Sequence, residues 1–191
     1  MLAAPAFRRL LFINWLVSTS WDVFSLALPL VGHQRGLSAS ALGTVLAAYA
    51  VAAMAVRLLI PLVAHRLSRR LMMSGALALV AGVFVFYPGL QAVWSMALGA
   101  ALLGLALGAI QPAILASVHD AAPAERQGEA MALRAMCVHG SMATMPLAFG
   151  ALGAALGAAP LFWGMAAALA LGAWWSRGPG AGTPELERNK E

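Results

Sequence analysis

One cysteine, Cys137, is all that the 191-residue chain contains, which excludes a disulfide framework and a cysteine metal site within a single copy. Charged residues make up only 10% of it, far below the roughly one quarter that the surface of a soluble domain carries, so a soluble domain is excluded as well. No phosphate-cradling loop or nucleotide motif occurs, which removes an energy-coupled pump. The residue-by-residue alternation of a transmembrane barrel is also missing. The four histidines, His33, His65, His119 and His139, show no spacing of four on one helix, so no metal site and no cofactor are expected. Lys and Arg outnumber Asp and Glu by 12 to 7, but they stand between apolar runs rather than on one polar face, which speaks against a nucleic-acid partner.

What is present in abundance is apolar surface. Hydrophobic residues form 62% of the chain, or roughly 118 residues, against the roughly 120 that six membrane helices of about 20 residues would need. The reading is an all-α integral membrane protein with spans at about 10–31, 39–63, 71–87, 92–118, 128–154 and 159–176, forming one membrane domain over 1–176. Short joints separate them, marked by Gly32, Gly36 and Ser38, by Pro88 and Gly89, by Pro123 and by Pro160. Residues 177–191 are polar and rich in Pro and Gly, and read as a disordered cytoplasmic tail. Arg8 and Arg9 before the first apolar run imitate a signal peptide, but no convincing cleavage site follows, so a retained first span is expected.

The arginines set the expected orientation. Arg8, Arg9, Arg66, Arg69, Arg70, Arg126, Arg177, Arg188 and Lys190 fall on one side of the membrane and only Arg35 on the other, which puts both termini in the cytoplasm. Trp94, Trp163 and Tyr87 near the outer ends, with Trp174 and Trp175 near the inner end of the sixth span, fit an interfacial aromatic belt.

An ionisable side chain deep in a spanning helix is costly unless it faces a cavity or a partner, so each one is a site candidate. Asp22 leads, lying about 18 Å along the helix from Leu10, slightly beyond the middle of a roughly 30 Å core. Asn14, Ser18, Asp22 and Ser25 recur at helical spacing and draw one polar stripe on the first span. Arg57 and Arg134 lie near enough to the cytoplasmic ends of their helices to snorkel. Arg134, Cys137, Ser141 and Thr144 share one face of the fifth span, with His139 nearly opposite. Gln111, before Pro112, shares a face of the fourth span with Gly104 and Gly108, where small residues let a neighbouring helix come close. The expected substrate or proton site is thus Asp22, Asn14, Ser18, Gln111 and His139.

Between the second and third spans, Pro61-Leu62-Val63-Ala64-His65-Arg66-Leu67-Ser68-Arg69-Arg70 resembles the loop signature G-x-L-x-D-R-x-G-R-R of the major facilitator superfamily, with Pro61 and Ser68 for glycines and His65 for the acidic residue. Between the fourth and fifth, Pro123 to Arg134 is similar to the P-x-x-R-x-G-E-A-x-x-L-R pattern of bacterial members. The resemblance implies half of a twelve-helix transporter, built as a 3+3 inverted repeat and most like a carboxyl-terminal half. It also implies third and sixth helices that act as peripheral supports, and a cytoplasmic gate from Arg66, Arg69, Arg70, Arg126, Glu129 and Arg134.

The function expected is secondary active transport of a small organic solute across the cytoplasmic membrane by alternating access, with H+ as the candidate coupling ion. The partners expected are the lipid bilayer, the solute, and either a second six-helix half or a second copy of the chain. A truncated or accessory, non-transporting membrane protein stays open as an alternative. An intramembrane serine hydrolase is the remote one, supported only by Gly140-Ser141, since the last span has no histidine to activate a serine.

Overall fold

The computed structural model describes residues 5–63 and 68–176. Within them the chain forms six long helices: α1 (Pro5–Gln34), α2 (Ala39–Val63), α3 (Arg69–Phe86), α4 (Val93–Asp120), α5 (Gln127–Leu156) and α6 (Ala158–Ser176), with single 3-10 turns at Tyr87–Gly89 and Ala124–Arg126 and no strand. All six are long and apolar enough to cross a membrane. Helices are the expected solution, because hydrocarbon offers no partner for an exposed peptide group and a helix satisfies its own. Several begin beyond the apolar run that marks the span; α1, for example, starts at Pro5, ahead of Leu10. The tail at 177–191 and the loop residues at 64–67 lie outside the described residues.

Local chemistry sets the joints. Ser38 accepts a hydrogen bond from the Ala41 amide at 3.2 Å and Ser68 one from the Leu71 amide at 3.3 Å, so a serine hydroxyl caps the start of both α2 and α3. Pro29, Pro112 and Pro146 sit inside α1, α4 and α5, where each removes one backbone donor and frees a carbonyl.

The helices are not equivalent. Two thirds (67%) of the α1 span is buried against its neighbours, whereas α2 and α5 are buried over only 11% and 6% of theirs. α2 packs on α4, α5 packs on α1, and α3 pairs with α6 behind α1 and α4. α2 and α5 therefore present long, largely unpartnered faces.

The α2–α4 seam is made by glycine. A Cβ on Gly104 would stand 2.3 Å from the Tyr49 carbonyl oxygen, and one on Gly108 would stand 2.7 Å from Val56 and 2.9 Å from the Ala53 oxygen. Backbone thus meets backbone, the close approach on which helix association in lipid depends.

On the other flank an aromatic cluster joins α1, α3 and α6. Phe24 meets Tyr87 edge to face at 5.5 Å, Tyr87 stacks on Phe162 at 5.3 Å, and Phe84 meets Phe162 edge-on at 5.3 Å. Tyr87 is fully buried there, and its hydroxyl donates to the Met96 carbonyl at 3.3 Å. That takes it off the outer surface of the bundle, on which Trp94, Trp163, Trp174 and Trp175 are exposed.

Arg35, in the α1–α2 joint, has a structural task. Its Nη2 donates to the Pro88 carbonyl at 2.6 Å and its Nη1 to that of Leu90, tying the α1–α2 joint to the α3–α4 joint. Arg35→Ala should lower the melting temperature of the detergent-solubilised chain by about 5 °C, the size expected from losing charge-assisted hydrogen bonds worth about 2 kcal/mol. Arg35→Lys should recover only part of it, since an ammonium cannot present the same fork. An unchanged melt for the alanine variant would show that the clamp carries no stability.

Candidate functional site

Consecutive helices joined by short connectors alternate in direction, so α1 and α5 run parallel. Their seam holds the polar centre of the molecule. Asp22 is 8% exposed and Ser141 1% exposed. The Ser141 hydroxyl lies 2.8 Å from Asp22 Oδ2, to which it donates, and 2.9 Å from Thr19 Oγ1. Since a hydroxyl has one proton, the Thr19 hydroxyl donates to Ser141 when Ser141 donates to the carboxylate. Among the described residues no cation forms an ion pair with Asp22, so its charge is met by a chain of hydroxyls.

Other hydroxyls along the two helices are spent locally. Ser20 donates to the Leu16 carbonyl at 2.6 Å, Ser25 to that of Asp22 at 3.1 Å, and Thr144 to that of Gly140 at 2.8 Å. Such back-bonding satisfies a hydroxyl in lipid without any partner helix. Ser18 is half-buried beside Asp22 on the same stripe. Nearer the start of α1 Asn14 is 3% exposed, and its Nδ2 is buried without a hydrogen-bond partner.

The remaining candidates are placed elsewhere. Arg57 Nη2 donates to Gln111 Oε1 at 2.8 Å, an exposed link from α2 to α4 that sits one turn beyond Gly108. The structure thus brings Gln111 to an arginine rather than to Asp22. His139 is exposed on α5, on the side away from buried Ser141. Glu129 is held by Arg126 in a two-pronged fork, Nε to Oε2 at 2.7 Å and Nη2 to Oε1 at 2.8 Å. Arg66 lies outside the described residues; Arg69 and Arg70 open α3. Arg134 is half-buried, and its Nε is buried with no hydrogen-bond partner.

Sequence reasoning missed the role of Thr19 and the pairing of Ser141 with Asp22. The available signal was weak: Thr19 and Asp22 are one turn apart, and Ser141 shares the Arg134 face of α5.

Among the described residues no three metal-ligating side chains converge, and Ser141 has no imidazole within hydrogen-bond reach to activate it as a nucleophile. A cavity of about 350 Å³ between α2, α3 and α4 is lined only by apolar residues such as Val56, Leu59, Met72 and Leu105. It offers nothing that could recognise a polar solute. The two ends of the bundle domain meet on one side: the Arg9 guanidinium lies 5.7 Å above the Trp175 ring, and Phe12 packs edge-on against the same ring at 5.9 Å.

Compared with known proteins, the chain matches the family model described as Major Facilitator Superfamily over residues 10–191. No curated protein matches it.

Proposed function

We propose, from the premise that the chain belongs to the Major Facilitator Superfamily, that it supplies one wall of a proton-coupled transporter for a small organic solute. Membership makes it a multi-pass membrane protein of a transporter family, and its six helices correspond to one half of that fold. The finer reading is that it acts as a carboxyl-terminal half, α1 and α5 facing the solute path. A second six-helix unit, either another half or a second copy, completes the cavity, and rocking of the two units alternates access.

The observation that carries the reading is the Asp22 carboxylate, buried in a membrane helix, hydrogen-bonded to Ser141 and without an ion-pair partner among the described residues. A buried acid held only by hydroxyls can take up and release a proton without breaking a salt bridge, which a coupling group must do in each cycle. The unpartnered faces of α2 and α5 are where the second unit packs. The decisive test is proton-driven solute accumulation by the complete twelve-helix assembly, with Asp22→Asn as the variant.

The reading also places the protein in the cytoplasmic membrane with both termini inside. His33 and Ser68 are both exposed at opposite ends of α2. On a Cys137→Ser background, a cysteine at His33 should react with an impermeant thiol reagent in intact cells and one at Ser68 should not. The opposite pattern would invert the topology.

A further inference from the structure

Two buried donors, one on α1 and one on α5, have no acceptor, and their positions along the two helices put them at one depth. Arg134 stands seven positions before Ser141, and Asn14 stands five before Thr19 and eight before Asp22, the two residues that Ser141 touches. In parallel helices rising about 1.5 Å per residue, that places both about 10 Å to the cytoplasmic side of the hydroxyl chain. Ala130, fully buried one turn before Arg134, shows that this face of α5 is turned onto the bundle. Asn14 belongs to the α1 stripe that carries Ser18 and Asp22.

Asn14 Nδ2 and Arg134 Nε cannot satisfy one another, because each only donates. A buried donor without an acceptor is costly, and in a membrane water does not relieve it cheaply. Among the described residues no hydrogen bond or ion pair engages Arg134, so α5 carries a cation without a counter-charge two turns before Ser141.

We infer that Asn14 and Arg134 form a donor pair for an oxyanion, a carboxylate or phosphate group carried by the solute or by an anionic lipid headgroup. Arg134 supplies charge and direction, and Asn14 supplies the second donor that a point charge would lack. The inference rests on the reading of the α1–α5 seam as the solute-facing wall, and it moves Arg134 from the cytoplasmic gate to the binding surface.

The test uses the full chain in nanodiscs of phosphatidylcholine or of phosphatidylglycerol, titrated with benzoate, inorganic phosphate or neutral benzamide and followed by thermal melting. Benzoate or phosphate should raise the melting temperature in phosphatidylcholine and benzamide should not; a rise confined to phosphatidylglycerol discs assigns the oxyanion to a headgroup. Arg134→Gln and Asn14→Leu should each weaken the response about tenfold, the usual size of one charge-assisted contact. Asn14→Asp should instead raise the melting temperature without any ligand and abolish the response, because the new carboxylate takes the oxyanion's place. Asp22→Asn should leave the response intact, so failure of the proton reading and failure of this one are separable. Responses unchanged in Arg134→Gln and Asn14→Leu, or no response of the unmodified chain to benzoate, to phosphate or to phosphatidylglycerol, would overturn the donor pair.

Discussion

Gly104→Val should lower the melting temperature of the solubilised chain by about 10 °C or abolish recovery of monodisperse protein, since overpacking of a filled site costs about 3 kcal/mol or more. The reason is what the added carbon meets: a backbone carbonyl oxygen of Tyr49 at 2.3 Å, with the Ala53 amide nitrogen at 3.1 Å. A flexible side chain could swing aside, but a carbonyl inside α2 moves only with its helix. α2 has little other support, as its span is 11% buried, so displacing it from α4 removes most of what holds it. Lipid gives no hydrophobic reward for bringing it back. The same displacement would pull Arg57 away from Gln111. Gly43→Ala is the matched control, because a Cβ at Gly43 meets nothing within 4 Å; it should be neutral or slightly stabilising through helix propensity. Equal melts for Gly104→Val and Gly43→Ala would show that the close approach carries no stability.

The spans were legible because the signal for a membrane helix is a long apolar run, which needs no knowledge of neighbours. The small-residue face of α4 was legible for a similar reason: Gly104 and Gly108 mark a place where a helix can come close, and the structure puts α2 there. What one helix cannot reveal is which residue of another it meets. Asp22 announced itself by cost, but its partner Ser141 lies 119 positions away and looks like any small residue of a membrane helix. Tyr87 was misread because its position near a helix end suits an interfacial tyrosine, whereas the ring stack with Phe24 and Phe162 decides its burial. Arg35 was read only as a topological marker, since its carbonyl acceptors belong to a loop more than fifty residues on. Gln111 was placed beside a solute because a proline frees polar backbone nearby; its described partner, Arg57, is on the helix that the glycines admit.

Asp22→Asn in the complete twelve-helix assembly should reduce proton-driven accumulation of the solute to the level of passive leak, while solute exchange in the absence of a proton gradient persists. The two side chains have nearly the same shape, and Asn Oδ1 still accepts from the Ser141 hydroxyl as Asp22 Oδ2 does at 2.8 Å. Losing the charge on that bond changes stability by no more than about 1 kcal/mol, so the variant should fold and reach the membrane. Only the capacity to bind and release a proton is removed. Ser141→Ala makes the complementary change: it deletes the described side-chain hydrogen bond to the carboxylate, and with it the link to Thr19 at 2.9 Å, but leaves the proton acceptor in place. It should therefore retain coupled accumulation at a reduced rate. A residue that merely packs would give the reverse order, with Asp22→Asn transporting normally at a lowered melting temperature. Uptake measured under an imposed pH gradient, beside exchange measured without one, separates these outcomes; normal accumulation by Asp22→Asn would end the assignment of Asp22 as the coupling group.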